Sequence, residues 1–211
     1  MAYHPIVGAG ANSCVLHYHT NNAIIQEHDL ILVDAGGEYQ HYAADITRTF
    51  PANGRFSGEQ KAVYEVVLTT QQTLINLLRP GLRWDEMQHT CRTTLTAGLV
   101  DLGILHGTVA SLVEQAAYTP FYMHLFGHWL GLDTHDVGAY KIDGDWITLA
   151  PHMVFTVEPG LYIRAGTPGV DPRWWNIGVR IEDNLVITET GHHNLTTAPK
   201  TVADIEAWMR G

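Results

Sequence analysis

The chain has 211 residues, of which 45% are hydrophobic, and its 22 acidic and 12 basic residues give a formal net charge of -10. This length allows one sizeable core and predicts one globular domain. The acidity argues against a nucleic-acid partner, because binding a phosphate backbone needs clustered lysine and arginine. The longest apolar runs, residues 30–33 and 153–157, are far shorter than the roughly 20 residues that span a bilayer, so we expect no membrane span.

The cellular setting is predicted from the N-terminus and the cysteines. The first residues have neither the basic start nor the apolar core of a secretory signal. The two cysteines, Cys14 and Cys91, form no Cys-x-x-Cys pair and have no histidine at metal-ligand spacing. We therefore expect a cytoplasmic protein.

In the first part of the chain, residues 8–13 predict a loop that leads into a short strand at residues 14–16. The β-prone run 30–33 predicts a buried strand, and residues 42–50, followed by Pro51 and Asn-Gly, predict a second strand. A tight turn around Tyr39 and Gln40 would join these strands as a hairpin.

Two helices are predicted next. Ser57 and Gln60 form a capping-box pattern, and apolar residues follow at helical spacing until Pro80. A second helical period runs from Trp84 or Asp85 to Leu102.

The rest of the chain predicts strands at residues 153–159, 161–164 and 177–188, the last with a break near 183–184, and a final helix at 203–209. Strands, then helices, then strands indicate an α+β fold, with helices on one side of a mainly antiparallel sheet.

Four acidic residues interrupt apolar strands, where an unpaired carboxylate is unfavourable. Asp34 ends one predicted strand and Asp45 lies in its partner, so a tight hairpin would make them cross-strand neighbours on one face. Glu158 and Glu182 each follow an apolar run in the second half. For any one acid, the simpler explanation is pairing with a base such as Arg48 or Arg180. Two such bases do not neutralise four acids, so divalent cations with oxygen ligands explain the set better.

Three histidines, His124, His128 and His135, occur in one segment with spacings of four and seven. Gly127 and Gly131 argue against a regular helix, so we predict a compact loop or a short helix that brings the imidazoles to one site. A lone histidine is more often structural, but three beside four buried acids indicate metal ligation and proton handling.

The sequence resembles the catalytic domains of X-Pro aminopeptidases (aminopeptidase P) and the related prolidases of metallopeptidase family M24. The matching segments are His17-Tyr18, Val-Asp-Ala-Gly (33–36), Ala-Asp-Ile-Thr-Arg-Thr (44–49), Gly-His-Trp-Leu-Gly (127–131), Thr-His-Asp-Val-Gly (134–138), Thr-Val-Glu-Pro-Gly (156–160) and Arg-Ile-Glu-Asp (180–183). They occur in order along nearly the whole chain. The resemblance implies the pita-bread fold, an α+β fold whose curved, mainly antiparallel sheet carries helices on its outer face.

The resemblance also implies two divalent metal ions with five protein ligands. Asp45 and Glu182 would bridge the ions, Asp34 would complete one site, and His128 with Glu158 would complete the other. A metal-bridging hydroxide would hydrolyse the N-terminal X-Pro bond of peptides that have proline at the second position. Manganese is the first expectation because carboxylates dominate, with cobalt, iron or zinc as alternatives.

Further roles follow from the same resemblance. Glu158 would also move a proton between nucleophile and leaving group. His17, His124 and His135 match histidines that contact substrate or the developing oxyanion, and Arg180 and Tyr162 match positions near the same site. For each of these groups, the alternative is a hydrogen-bonded structural side chain.

Members of this family usually carry a separate N-terminal domain and opening helices, and we expect both to be missing here. Residues 1–211 are therefore expected to form the catalytic domain alone, with only one half of its helical cover. An apolar sheet face without that cover would promote homo-oligomers or other association.

Three alternatives remain open. Prolidase, which cleaves X-Pro dipeptides, shares the metal motif. Methionine aminopeptidase fits less well, because its characteristic segments differ. A truncated, low-activity peptide-binding module is the alternative from a different class, although all five ligand types are present.

Overall fold

The computed structural model describes all 211 residues. The strands are β1 (Ile6–Ala9), β2 (Leu30–Asp34), β3 (Glu38–Tyr39), β4 (Tyr42–Ala43), β5 (Thr47–Pro51), β6 (Lys141–Ile142), β7 (Asp145–Trp146), β8 (Val154–Val157), β9 (Gly160–Ile163), β10 (Ile177–Arg180), β11 (Asp183–Ile187) and β12 (His192–Asn194). The α-helices are α1 (Gly58–Leu77), α2 (Trp84–Asp101), α3 (Val109–Glu114) and α4 (Val202–Arg210). Short 3₁₀ helices span Gly10–Cys14 and Pro172–Trp174.

Every strand pairing is antiparallel, as predicted, but the strands form several small sheets. One three-stranded sheet has the order β1-β2-β5, and another has the order β12-β11-β8. β9 pairs with β10, and two short ribbons, β3-β4 and β6-β7, lie at the periphery. None of the helices is both long and apolar enough to cross a membrane.

The two long helices form one layer of a hydrophobic core of 35 buried residues. The predicted capping box at the start of α1 is confirmed: the Ser57 hydroxyl accepts from the Gln60 amide, and the Gln60 side chain accepts from the Ser57 amide. Val63, Val67 and Leu74 are fully buried along α1. The helices approach closely, because a Cβ added at Gly98 would lie 2.2 Å from Val66 Cγ1. Helical periodicity therefore predicted this layer well.

The hairpin that carries the first two acids turns one residue later than expected. Gln40 and His41 form the turn, both with positive φ, so Asp34 pairs with Thr47 instead of Asp45. Continuing this register places Asp45 opposite Gly36, two positions along from Asp34 and on the same face. The prediction of a direct cross-strand pair was therefore wrong, whereas the shared face holds.

Three other local predictions also differ from the structure. The strand predicted at residues 42–50 is interrupted, because β4 ends at Ala43 and β5 begins at Thr47. Residues 14–16 do not form a strand; the strand is β1, and the chain then turns through the 3₁₀ helix Gly10–Cys14. This turn packs against β10, where a Cβ at Gly178 would lie 2.2 Å from the Ser13 carbonyl oxygen. The break in the run 177–188 falls at Ile181 and Glu182, because β10 ends at Arg180 and β11 begins at Asp183.

Candidate metal centre

Nine of the ten side chains predicted for the site line one cavity of about 220 Å³. They are His17, Asp34, Asp45, His124, His128, His135, Glu158, Arg180 and Glu182. The tenth, Tyr162, is fully buried and contacts two of the nine. The tertiary structure thus brings together residues from both halves of the chain.

The acids lie where strands end, so backbone geometry directs them into the cavity. Asp34 ends β2, and Glu158 follows β8. Glu182 lies in the two-residue break between β10 and β11, and its amide donates to the Thr47 carbonyl. This bond ties the second half of the site to the first.

The histidine segment is irregular backbone, in agreement with the predicted compact loop. It runs beside β8, where the Thr156 amide donates to the His128 carbonyl at 2.9 Å. Gly127 is required there, because a Cβ would lie 1.8 Å from the Thr156 carbonyl oxygen. The Nδ1–H of His128 donates to the Trp129 carbonyl at 2.9 Å, so Nε2 points towards the acids.

The His128 imidazole faces three carboxylates. Its Nε2 lies 3.3 Å from Asp45 Oδ2, 3.5 Å from Glu158 Oε1 and 3.9 Å from Glu182 Oε1. One potential ligand atom from each of Asp45, His128 and Glu182 lies within 4.8 Å of the other two. Three converging groups with oxygen and imidazole donors suit a divalent cation.

Glu182 carries the clearest sign that a cation belongs here. Its Oε2 accepts from the Thr47 hydroxyl at 2.6 Å, but its buried Oε1 has no hydrogen-bond partner. An unpartnered buried carboxylate oxygen is unfavourable by roughly 1–3 kcal/mol or more. A metal ion among these oxygens would supply the missing partner of Glu182 Oε1. The residues present therefore fit a divalent cation.

The protonation of the two glutamates reflects the same crowding. Burial, followed by the charges of Asp45 and Asp34, raises the pKa of Glu158 to about 7 against the opposing effects of His128 and Arg180. Burial and neighbouring acids also raise the pKa of Glu182 well above its ordinary value. Without cations, these carboxyls hold protons that a metal ion would displace.

The pKa values of Asp45 and His128 shift in opposite directions. Burial acts to raise the pKa of Asp45, but hydrogen bonds from His128 and Tyr3 outweigh it and lower the pKa. Burial acts to lower the pKa of His128, but the hydrogen bond to Asp45 and the charge of Glu158 raise it above the ordinary value. Without a cation, the neighbouring carboxylates thus favour the charged form of the His128 imidazole.

The simpler explanation, an arginine for each acid, accounts for only one of the four. Arg180 donates to Asp34 Oδ2 at 2.7 Å. Arg48 does not pair with any of the four; its Nη2 donates to Asp183 at 2.7 Å. Asp45, Glu158 and Glu182 therefore have no arginine partner, and cations account for these three carboxylates better.

A hydrogen-bonded chain borders the cavity. His124 donates from Nδ1 to the Leu125 carbonyl at 2.7 Å, so its Nε2 accepts from the Tyr162 hydroxyl at 2.9 Å. Arg180 in turn donates to the Tyr162 oxygen at 3.1 Å. Burial, followed by the Arg180 charge, lowers the pKa of His124 to about 3. His124 is therefore a neutral imidazole in the folded protein.

The remaining two histidines are less enclosed. The His135 ring lies edge-on to His128, with 4.4 Å between centroids, and burial and the His128 charge lower its pKa. His17 is exposed at the cavity rim, with its ring 5.8 Å from that of His19. Both remain accessible to a molecule that enters the cavity.

Sequence reasoning missed Tyr3. Its hydroxyl lies 2.5 Å from Asp34 Oδ1 and 2.6 Å from Asp45 Oδ1, and it can donate one proton to only one of them at a time. Burial and these two charges raise its pKa well above the usual range. No local pattern around Tyr3 indicates this contact, because it depends on the pairing of β1 with β2.

The fold and the acid-rich cavity are those expected of a metallopeptidase, and comparison with known proteins identifies the family. Residues 1–189 match metallopeptidase family M24. The Xaa-Pro aminopeptidase of Haemophilus influenzae is 52% identical over 209 residues, which are 99% of this chain and 48% of that protein. For the Escherichia coli Xaa-Pro aminopeptidase, the identity is 50%, over 99% of this chain and 47% of that protein.

Solved structures agree with the sequence comparison. Pseudomonas aeruginosa aminopeptidase PepP superposes with a TM-score of 0.97 and 53% identity, covering 99% of this chain and 48% of that one. A zinc-substituted E. coli aminopeptidase P in complex with product gives a TM-score of 0.95 and 48% identity, covering 99% of this chain and 47% of that one. The chain belongs to metallopeptidase family M24 and has the pita-bread fold. It spans about half the length of the curated relatives that it matches. Membership of this family implies divalent metal ions.

Proposed function

We propose that the chain carries the catalytic centre of a metal-dependent aminopeptidase that hydrolyses the peptide bond between a first residue and a proline at position two. The observation that carries this proposal is the convergence of His128 on Asp45, Glu158 and Glu182, with one buried Glu182 oxygen lacking a partner. The names of the relatives, Xaa-Pro aminopeptidases, support the substrate class.

Five side chains would hold two divalent ions in this proposal. Asp45 and Glu182 would lie between the ions, with Asp34 on one side and His128 and Glu158 on the other. The ions would supply Lewis acidity and lower the pKa of a water molecule. Manganese is proposed first, because four of the five ligands are hard carboxylates.

The chain's own residues would move protons and orient the peptide. Glu158 lines the cavity with Oε1 3.5 Å from His128 Nε2, and it would accept a proton and deliver it to the leaving nitrogen. His124 is held neutral by burial, and Leu125 and Tyr162 engage both of its ring nitrogens, so it would border the bound peptide in the cavity without adding charge. His17 and His135 border the same cavity and would contact the peptide or the developing oxyanion.

The roles of these histidines can be separated from metal binding. We expect His124→Ala and His135→Ala to lower turnover more than metal content, as measured by peptide hydrolysis and metal analysis of the same samples. Equal loss of both quantities would contradict the proposed substrate contacts and would instead place these side chains in metal retention.

The main experiment is hydrolysis of an X-Pro-Y tripeptide by metal-stripped protein, with and without added Mn²⁺, alongside Asp45→Ala. Cleavage that requires Mn²⁺ and is lost in the variant would support the proposal. Cleavage of X-Pro dipeptides alone would favour a prolidase. Two bound ions without any cleavage would instead favour a peptide-binding module.

We also propose that residues 1–211 form one catalytic domain. This domain would work in the cytoplasm, without membrane or nucleic-acid partners.

We further propose that the chain self-associates. An apolar groove of about 320 Å³ lies on the face of the β1-β2-β5 sheet between Val33, Phe50 and Ile205. Trp208 beside it is 71% exposed. Burial of this groove between two copies would remove apolar surface from water. Sedimentation that shows only monomers at micromolar concentration would contradict self-association.

A further inference from the structure

A polar cluster lies behind the metal centre, on the side away from the cavity. Its central residue is Gln71, which is completely buried on α1. The Gln71 side-chain NH₂ donates to two backbone carbonyls, Val157 O at 3.3 Å and Ile181 O at 3.2 Å. These carbonyls belong to the residues immediately before Glu158 and Glu182. One amide group therefore bridges the two backbone segments that present both glutamates.

The orientation of this amide is determined by its partners. Gln71 Oε1 accepts from the Lys200 ammonium at 2.8 Å. A lysine ammonium only donates and backbone carbonyls only accept, so the NH₂ group must face Val157 and Ile181. Lys200 thus holds the amide in the orientation that lets it bridge the two segments.

Lys200 is in turn held by Asp183. The Lys200 ammonium donates to Asp183 Oδ2 at 2.5 Å, and the same oxygen accepts from the side-chain NH₂ of Asn194 at 2.7 Å. Arg48 occupies the other carboxylate oxygen and also donates to the Glu182 carbonyl at 2.7 Å. The Asp183 side chain is fully buried, so these contacts are shielded from solvent.

We propose that Gln71, oriented by Lys200, is a positioning residue that sets the separation of Glu158 and Glu182. This inference rests on the proposed function, because it assigns both glutamates as metal ligands. The physical reason is that each of the two carbonyls belongs to the peptide group bonded to the Cα atom of a glutamate. A shift of the Val157 or Ile181 carbonyl therefore moves the carboxylate of the glutamate that follows it. Metal ligands tolerate such shifts poorly, because coordination distances are specific to a few tenths of an ångström.

The test compares two glutamines on the same helix. Gln71→Leu keeps a similar volume but removes the bridge, whereas Gln72→Leu changes an exposed neighbour that makes no such contact. Isothermal titration of metal-stripped chain with Mn²⁺ should show binding weakened about 10- to 100-fold by Gln71→Leu, the range typical for groups that orient metal ligands. Gln72→Leu should bind Mn²⁺ like the parent chain.

Lys200→Met provides a second, independent variant if Gln71→Leu does not fold. It keeps most of the lysine stem and removes the group that orients the amide, so weaker Mn²⁺ binding is again expected. Circular dichroism of both metal-free variants monitors folding. If peptide hydrolysis is measurable, kcat should fall with little change in KM, because the bridge acts on the ligands and does not contact the peptide.

Unchanged Mn²⁺ affinity in folded Gln71→Leu or Lys200→Met would overturn the inference and leave the cluster a purely structural role. Equal weakening by Gln72→Leu would do the same. A different result would contradict the proposed function: parent protein that binds Mn²⁺ but does not cleave X-Pro peptides. The affinity measurement does not depend on that result.

Discussion

His128 Nε2 and Asp45 Oδ2 lie 3.3 Å apart, although His128 lies in the irregular segment between α3 and β6 and Asp45 precedes β5. In the absence of a cation, Asp45 raises the pKa of the His128 imidazole, while Glu182 Oε1 remains without a hydrogen-bond partner. The centre is therefore compensated only in part by the chain itself. Divalent ions should complete the compensation and stabilise the fold.

Metal removal should destabilise the protein. Mn²⁺ at about 100 times its dissociation constant should add about 2.7 kcal/mol per occupied site to the free energy of unfolding, through selective binding to the folded state. Glu182→Gln should respond less to Mn²⁺, yet its metal-free form should be at least as stable as the parent, because one buried acid is removed. Thermal unfolding with and without Mn²⁺ measures both effects. A metal-free variant that is clearly less stable than the metal-free parent would contradict the prediction that the crowded acids destabilise the metal-free protein.

Tyr3 should matter most when metal is absent. Tyr3→Phe removes the hydroxyl shared by Asp34 and Asp45, leaving buried oxygens without that donor at a cost of about 1–3 kcal/mol. Bound cations would occupy the same carboxylates and reduce this loss. Urea unfolding of parent and variant, each with and without Mn²⁺, tests the difference. An equal loss in both states would mean that the hydroxyl acts independently of the metal centre.

His124 should make stability depend on pH. Burial, with Arg180 nearby, lowers its pKa to about 3, and the aromatic groups of Tyr122 and Tyr162 enclose the ring. Between this value and the ordinary pKa near 6.5, the unfolded chain binds more protons, so this contribution to stability is complete above pH 6.5 and declines as the pH falls.

The pH effect is measured against His124→Gln, which removes the titrating group. From pH 7.5 to pH 5, the parent should lose roughly 1–2 kcal/mol of unfolding free energy relative to the variant, as obtained from urea titrations at the two pH values. A difference between the two proteins that does not change with pH would show that His124 titrates normally.

Close packing of α1 against α2 predicts an unusual effect for a helical glycine. Gly98→Ala should destabilise by about 1–3 kcal/mol, because overpacking against Val66 outweighs the better helix propensity of alanine. Gly58→Ala is the matched control, because a Cβ there meets nothing within 4 Å. Midpoints of urea unfolding give both values. A stable Gly98→Ala variant would mean that Val66 repacks freely.

Sequence patterns predicted the features that depend on neighbouring residues. The capping box of Ser57 and the apolar period of α1 are local, and both are confirmed. The acids were recognisable because each interrupts an apolar strand, a signal that needs no partner. Hairpin register was less predictable: moving the turn by one residue exchanged Asp45 for Thr47 opposite Asp34.

What the sequence determined by itself was therefore the chemical types at the centre, four carboxylates and imidazoles, because their placement in apolar runs is unfavourable without a counter-charge. The tertiary structure decided which partners they meet. Tyr3 reaches two acids through the pairing of β1 with β2, and Gln71 reaches both glutamate segments from α1. Such contacts join residues far apart in the chain, and they depend on packing in three dimensions, which no local periodicity encodes.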